Sequence, residues 1–197
     1  MLRKSNFWIG SIAVVGLVSF GVPADAFVAV YVGALSSEKH PDLAVRAVAS
    51  LPHVHLVIAG NGPMRGAISA LAEQLAPGRV HVIGAIDDPS LVFAAADVLV
   101  LPSVTEGLPA ALIEAGMFGL PAVATNVGFV ADIIEDGVTG RLVPSGDVAA
   151  LTNAISCVLA RPGAMGASAR ARCIQFFDMS AVAAQWDGLL DRVLATV

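Results

Sequence analysis

Charged side chains are scarce in this chain of 197 residues. Asp, Glu, Lys and Arg together make up 14% of it and hydrophobic residues 56%, with a formal net charge of −5. An acidic chain without a basic stripe is not expected to bind nucleic acid. A composition this apolar suits one domain whose sheet is covered by helices on both faces. A surface that a partner normally covers would also contribute to it.

Motifs for metal binding and for nucleophilic catalysis are lacking as well. The two cysteines, Cys157 and Cys173, have no metal-ligand spacing, and we expect both to be buried thiols in a reducing compartment. His53, His55 and His81 lie on or beside predicted strands, and we expect them to pack there. No Asp-x-Asp motif for a metal-bound diphosphate and no Gly-x-Ser-x-Gly hydrolase motif occurs. The sequence therefore predicts no metal site and no resident cofactor.

The apolar run near the N-terminus, from Phe7 to Phe20, is too short for a comfortable transmembrane helix, which needs about 20 residues. Arg3 and Lys4 precede it and Ala24-Asp25-Ala26 follows it, which is the layout of a secretory signal peptide. The alternative is that residues 1–27 are the linker remnant of an upstream domain. A signal peptide would mean an exported protein, whereas a remnant fits a cytoplasmic protein, either free or membrane-associated.

Short apolar runs alternate with helical patterns along the rest of the chain, which predicts a parallel sheet between helices. The predicted strands are 28–32, 53–59, 79–83, 97–101 and 119–125, with an edge strand at 141–144. The predicted helices are 41–50, one ending at 76, 89–96, one opening at 109, 147–160, 164–177 and 180–197. Asp147 and either Asp87 or Asp88 are candidate caps. Residues 28–197 should thus form one α/β domain, a three-layer Rossmann-like fold with a helical tail.

The most informative stretch is 102–116, which reads Pro-Ser-Val-Thr-Glu-Gly-Leu-Pro-Ala-Ala-Leu-Ile-Glu-Ala-Gly. It follows the apolar strand 97–101, and its proline at 109 suits the first turn of a helix. Such a strand–loop–helix turn lies at the carboxyl edge of an α/β sheet, where ligands bind, and free N–H groups there favour an anion. The predicted anion-binding turn comprises Gly107, Leu108, Pro109 and Ala110.

Two carboxylates flank this turn. Glu106 precedes the helix and should point into the cleft. Glu114 lies five residues beyond Pro109, about 7 Å along the helix axis. With a diphosphate at the helix start, Glu114 would reach the attached ribose and accept hydrogen bonds from its hydroxyls. The alternative is that Glu106 caps the helix and Glu114 is simply solvated.

This pattern resembles the donor-binding domain of GT-B glycosyltransferases of group 1, also called family 4. The likeness rests on the two glutamates with seven residues between them, on Pro102-Ser103 and on Gly-Leu-Pro-Ala-Val-Ala at 119–124, and it runs from about Val30 to Val158. It implies the C-terminal half of a GT-B fold and a hexosyltransferase that uses a nucleotide-diphosphate sugar with retention. It also implies that Glu106 lies near the donor sugar, Glu114 on the ribose and the turn amides on the diphosphate.

The resemblance assigns roles to other loops too. Gly33 opens the loop in which Lys39 would neutralise the pyrophosphate, although Lys39 could also be a solvated lysine. The family's arginine next to that glycine is replaced here by Ala34. Gly60 starts a Gly-x-Gly-Pro turn like the family's, and backbone groups of Ile86 would contact the nucleobase. Lys39 and Glu106 are therefore the catalytic candidates, the first for the leaving diphosphate and the second for the sugar.

The acceptor, whether a sugar, a lipid or a polysaccharide, is held in this family by an N-terminal domain. Only about 27 residues precede the first predicted strand here. We therefore expect a separate chain or self-association to supply that domain. The rival hypothesis is a truncated or non-catalytic module that binds a nucleotide sugar, which Ala34 favours. A nucleotide-sugar epimerase fits the spacing of Glu106 and Glu114 less well.

Overall fold

The computed structural model describes residues 21–23 and 25–195, and within these residues six strands form one parallel sheet. They are β1 (Phe27–Val32), β2 (Val54–Ala59), β3 (Val80–Gly84), β4 (Val98–Leu101), β5 (Ala122–Thr125) and β6 (Gly140–Val143). Their order is β3-β2-β1-β4-β5-β6. Every predicted strand is confirmed, and β6 lies at an edge as expected.

Helices follow the strands in alternation. They are α1 (Pro41–Ala49), α2 (Arg65–Leu75), α3 (Ser90–Ala95), α4 (Ala110–Met117), α5 (Val130–Ile133), α6 (Val148–Ala160), α7 (Pro162–Phe177) and α8 (Met179–Leu194). The cap at Asp147 is confirmed, since its carboxylate accepts the N–H of Ala150 at 2.8 Å. At α3 it is Asp88 that accepts the N–H of Ser90, at 2.9 Å, and hydrogen bonds with Ser90 lower the pKa of Asp88. The sequence did not predict the single-turn helix α5.

The sheet carries a separate apolar core on each face. Along β1, Val30 faces the core that includes Leu112 of α4, and the next residue, Tyr31, faces the core that includes Val45 of α1. This alternation follows from the two-residue period of a strand. Because both faces are covered, the strands are apolar throughout, which accounts for much of the composition. The three-layer Rossmann-like fold is confirmed.

The strand order reverses between β1 and β4. β1 pairs with β2 on one side and with β4 on the other, so that Val30 lies opposite both Val57 and Leu99. The connections that leave β1 and β4 run to opposite sides, and this leaves a crevice at their carboxyl ends. The loops after these two strands are the ones in which the sequence predicted Lys39 and Glu106.

The cysteine prediction is wrong for Cys157, which is exposed, while Cys173 is buried. The buried residues of α6 follow the helical period at 151, 154, 155 and 158, and Cys157 lies on the other side of that helix. Burial raises the pKa of the Cys173 thiol. Packing is confirmed for His55 and His81, whose rings stack 5.5 Å apart, whereas His53 is exposed before β2.

Most of the N-terminal segment, residues 1–20 and 24, and the last two residues of the chain lie outside the described residues, so the predictions that fall there stay predictions. At the other end, α7 packs against α4, and α8 buries none of its residues. Among the described residues no single helix has the length and apolarity to cross a membrane. Val148–Ala160 and Pro162–Leu194 meet the requirements of length and apolarity only when taken together, and the two segments are bent by 95° relative to each other.

Candidate functional site

An ion pair joins the loops that follow β1 and β4. The Nζ of Lys39 lies 2.7 Å from the Oε2 of Glu106, and the glutamate side chain is 5% exposed against 29% for the lysine. Beside it, the N–H of Val104 donates to the carbonyl oxygen of Glu38 at 2.8 Å. The fold thus brings together the two residues predicted to be catalytic, which are 67 positions apart in the sequence.

The other oxygen of Glu106 is held from within its own loop. Ser103, which is fully buried, donates its hydroxyl to Oε1 at 2.6 Å. Thr125, at the end of β5, donates in turn to the carbonyl oxygen of Ser103 at 2.5 Å. The helix α4 has no side-chain cap, so the alternative in which Glu106 caps it is wrong. Glu106 is a fixed carboxylate with both oxygens occupied, facing the β1 loop.

A hydrogen bond from the buried Tyr31, on β1, holds the loop that follows this strand. Its side chain is fully buried, and its hydroxyl donates to the carbonyl oxygen of Ala34 at 2.6 Å. Burial, and secondly the negative charge of Glu106, raise the pKa of Tyr31 well above its usual value. The phenol therefore stays a neutral donor and holds the turn at Gly33 and Ala34.

Two glycine positions show how tightly the loops pack. A β-carbon at Gly60 would collide with the carbonyl oxygen of Gly33. Gly128 has a φ of +54°, and a β-carbon there would collide with the carbonyl oxygen of Glu106. The neighbouring N–H of Phe129 donates to the carbonyl oxygen of Gly107 at 3.3 Å. The β5 loop thus supports the turn before α4, and glycine is required at its point of contact.

The predicted anion-binding turn is open to solvent. Gly107, Leu108 and Ala110 are exposed and Pro109 is buried. The N–H groups of Gly107, Leu108 and Ala110 donate to no acceptor within the described part of the chain. They lie next to the ion pair, at the start of a helix, where the dipole adds to their attraction for an anion.

Glu114 lies on the first turns of α4 and is exposed. Its carboxylate forms no hydrogen bond or ion pair with the described residues. Lys39 is the one cation among the residues that the sequence assigned to the site, and Glu106 and Glu114 are the two carboxylates among them. Any anion bound here would depend on backbone N–H groups as much as on side-chain charge.

An open cleft of about 310 Å³ lies at the carboxyl ends of β1, β2 and β3. Its lining contains three residues that the sequence assigned to the donor, namely Gly33, Gly60 and Ile86. The full lining is Val32, Gly33, Ala34, Ala59, Gly60, Asn61, Ala85, Ile86 and Pro89. A second cavity, of about 440 Å³, is a groove along α8 far along the chain from these loops.

Sequence reasoning missed the residues that hold the site in place. Ser103 belongs to the Pro-Ser pair that was noticed before Glu106, but its hydrogen bond depends on the loop conformation. Tyr31 is the single tyrosine of the chain, in a strand that otherwise reads as plain core. No group of three or more His, Cys, Asp or Glu residues in the described part of the chain is placed to hold a metal ion.

Comparison with known proteins agrees with this geometry. The model of the family described as glycosyl transferases group 1 matches residues 18–176. The chain is 32% identical over 190 residues to D-inositol 3-phosphate glycosyltransferase of Mycobacterium avium (strain 104), a match that covers 90% of this chain and 43% of that protein. The same enzyme of Mycobacterium leprae (strain Br4923) is 33% identical over 188 residues, with the same coverage. The chain thus spans less than half the length of these relatives.

Solved structures give the same result. Sucrose-phosphate synthase from Thermosynechococcus elongatus superimposes with a TM-score of 0.80 at 31% identity, over 92% of this chain and 49% of that one. HepE of Anabaena, in complex with UDP and glucose, superimposes with a TM-score of 0.82 at 25% identity, over 92% and 52%. By its matched residues and its fold, this chain belongs to the group 1 family of glycosyl transferases.

Proposed function

We propose that this chain is the donor-binding part of a retaining glycosyltransferase of the hexosyltransferase type. It binds a nucleotide-diphosphate sugar, whose sugar is transferred to an acceptor with retention at the anomeric carbon. The observation that carries the proposal is the ion pair of Lys39 and Glu106 at the reversal of strand order. Beside it, N–H groups at the start of α4 have no acceptor in the described part of the chain. That HepE, a member of the same fold, was solved with UDP and glucose supports the choice of ligand.

The diphosphate lies on the turn formed by Gly107, Leu108, Pro109 and Ala110. An ammonium group has three N–H donors, and Glu106 takes one of those of Lys39, so the others remain for the phosphate oxygens. As the bond between the sugar and the diphosphate breaks, negative charge grows on the leaving oxygen. Lys39 and the turn amides stabilise that charge, and they are already in place before the reaction.

The remaining contacts orient the donor. Glu106, fixed by Ser103, accepts hydrogen bonds from the sugar hydroxyls once part of its bonding to Lys39 is released. Glu114 accepts from the ribose hydroxyls, because its exposed carboxylate has no other partner in the described chain. The base lies in the cleft at Gly33, Gly60 and Ile86. No resident cofactor takes part, since the nucleotide sugar is itself the substrate.

The acceptor side of the site lies outside this chain in our proposal. Residues 28–197 form the donor-binding domain and residues 1–27 the linker remnant or signal-like segment. An N-terminal domain on another chain, or a second copy, binds an acceptor sugar, lipid or polysaccharide. We place the protein in the cytoplasm, where nucleotide sugars are generally used.

The alternative is a module that binds a nucleotide sugar without transferring it. Ala34 favours it, because this exposed position next to Gly33 lacks the cation that the family resemblance leads one to expect. Both functions require nucleotide binding, so calorimetric titration of the chain with UDP and GDP comes first. If neither binds, both proposals are wrong.

Transfer is then measured with the glucose conjugate of the nucleotide that binds, UDP-glucose or GDP-glucose, in the presence of candidate partner chains. Appearance of a glycoside whose anomeric configuration equals the donor's establishes the retaining transferase. Binding without transfer under every pairing favours the module, and a glycoside of inverted configuration contradicts retention.

A further inference from the structure

Arg65 lies next to the cleft, and its guanidinium has no partner among the described residues. It is the first residue of α2 and is exposed. Its two terminal guanidinium nitrogens come within 3.3 and 3.6 Å of the position that a β-carbon on Gly84 would occupy. The fork therefore lies over the last residue of β3, directly before Ala85 and Ile86 of the cleft lining. The guanidinium forms no hydrogen bond or ion pair with the described residues.

The stability of the fold does not account for an arginine at this position. The first turn of a helix carries the positive end of the dipole, so a cation there is unfavourable. None of the described carboxylates pairs with Arg65 to offset that cost. A bound ligand with hydrogen-bond acceptors would give the guanidinium the partner that the described residues do not provide.

The position of Arg65 determines which part of a bound nucleotide it contacts. Neighbouring strands are about 4.8 Å apart, so β3 lies about 10 Å from β1 across the sheet. Lys39 and the start of α4 hold the diphosphate on the far side of β1. Arg65 and Ile86 lie at the opposite end of the cleft, where the base of the same nucleotide ends.

The cleft itself offers little that distinguishes one base from another. Its lining has no charged side chain, and the amide of Asn61 is its one polar side chain. The turns at Gly33 and Gly60 present backbone to a flat ring. A guanidinium has five N–H donors and no acceptor, so it favours a carbonyl oxygen and disfavours an amino group in the same place.

We propose that Arg65 determines the base specificity of this site by donating to the carbonyl oxygen on the outer edge of the base. That oxygen is O4 of uracil or O6 of guanine, and cytosine and adenine carry an amino group there. This inference rests on the proposed nucleotide binding and adds the residue that selects among nucleotides.

The test is calorimetric titration of the wild-type chain with UDP, CDP, GDP and ADP, repeated with Arg65→Ala, Arg65→Lys and Arg161→Ala. Arg161 is a matched control, because it is an exposed arginine at the far end of α6, about 20 Å along that helix from its start. The four ligands carry the same diphosphate, so the loss of a positive charge affects them equally. The ratio of the two affinities within each pair, UDP/CDP and GDP/ADP, therefore depends on the base alone.

We expect the wild type to bind UDP over CDP, or GDP over ADP, by about tenfold, the size of one good hydrogen bond. Arg65→Ala should bring that ratio close to one, and Arg161→Ala should leave it unchanged. Arg65→Lys should keep the general affinity and part of the preference, since an ammonium is also a donor without an acceptor but lacks the planar fork.

A wild type without preference in either pair overturns the inference, and so does a preference that survives in Arg65→Ala while thermal unfolding matches the wild type. The identity of the preferred pair separates a uracil site from a guanine site. If no nucleotide binds the wild type, the proposed function has failed and this inference with it. If binding is intact and only the ratios disagree, the proposed function stands without Arg65.

Discussion

At the scale of single residues, positive charge is in short supply around the proposed site. Lys39 has Glu106 at 2.7 Å, and Glu114 lies on the next helix. A diphosphate brings at least two further negative charges. Helix-start amides offset some of this, but an exposed dipole contributes only about 0.3–1 kcal/mol. A positively charged side chain at position 34 would offset part of this negative charge.

Ala34→Arg should tighten nucleoside-diphosphate binding by up to about tenfold, or 1.4 kcal/mol, because an arginine fork would reach the phosphates. Solvent screening keeps the gain below that of a buried pair. Calorimetry at two salt concentrations checks this, and the gain should shrink at the higher one. The nucleoside without phosphates serves as the control and should bind both variants alike. Equal affinities at low salt would mean that the Gly33 loop does not face a diphosphate.

Glu114→Ala should weaken nucleoside-diphosphate binding by about 1.5–3 kcal/mol, the value of a charged hydrogen bond. Glu73→Ala is a matched control, since it removes an exposed helical glutamate near the far end of α2. A 2′-deoxy nucleotide should lose affinity for the wild type but lose less for Glu114→Ala. Unchanged binding by a folded Glu114→Ala protein would remove the ribose assignment.

At the scale of loops and strands, the site depends on three connections that meet at the turn before α4. The β1 loop contributes Lys39, the β4 loop Glu106 and the β5 loop Gly128. Besides the ion pair of Lys39 and Glu106, these loops meet through backbone groups, so there is little room for adjustment.

Gly128→Ala should lower the free energy of unfolding by about 2 kcal/mol or more. A φ of +54° costs an L-residue about 1–2 kcal/mol, and the clash with the carbonyl of Glu106 adds to it. Gly146→Ala separates the two terms, because Gly146 has a φ of +80° and open space where its β-carbon would lie. Urea unfolding of both variants measures the difference. Equal losses would mean that the contact with Glu106 contributes nothing.

The stacked pair His55–His81, on β2 and β3, predicts a pH dependence. Burial lowers the pKa of both rings, and their Nδ1 and Nε2 atoms lie 3.2 Å apart. Below about pH 6.5 the unfolded chain therefore binds more protons than the folded one, so the free energy of unfolding decreases as the pH is lowered. Urea unfolding between pH 8 and pH 5 should show a smaller loss for the double variant His55→Gln with His81→Gln. Parallel curves for the two proteins would contradict this.

Strands were the part of the fold that sequence reasoning predicted best. Runs such as Val98–Leu101 are apolar throughout because both of their faces are covered, and such runs are easy to recognise. The fifth strand begins at Ala122 and not at Gly119, since Gly119 has a φ of +68° and Pro121 lacks an N–H. The contact of Lys39 with Glu106 depends on strand order, and no local pattern encodes that order. Hence the site residues were predicted one by one, but their ion pair was not.

At the scale of the whole molecule, α8 presents an apolar stripe that nothing described covers. Its residues recur at helical spacing and are half exposed or more in most cases, namely Met179, Trp186, Leu189 and Leu190. A stripe of this kind marks a surface for a partner. The groove of about 440 Å³ along the same helix is lined by Trp186 and Leu189.

We expect the chain to self-associate, or to bind a partner chain, through this stripe. Light scattering of the purified chain should give a mass above 20.0 kDa that rises with concentration. The double variant Trp186→Glu with Leu190→Glu should bring the mass back to that of the monomer. Asp191→Lys, which reverses an exposed charge on the opposite side of α8 and outside the groove, is the control and should not. A wild type that stays monomeric at high concentration would count against the prediction.

The pairing of β1 with β4 also constrains the order in which the chain folds. Ala29 lies beside Val98, so this contact closes a loop of nearly seventy residues that contains β2, α2 and β3. Closing a long loop is entropically costly and slows the step that depends on it. Lys39 and Glu106 meet only across that pairing, so a chain whose first three strands have formed has no ion pair and no completed turn. In the proposed function, binding of the diphosphate therefore requires the finished sheet, whereas the base cleft at the ends of β1, β2 and β3 can form before it.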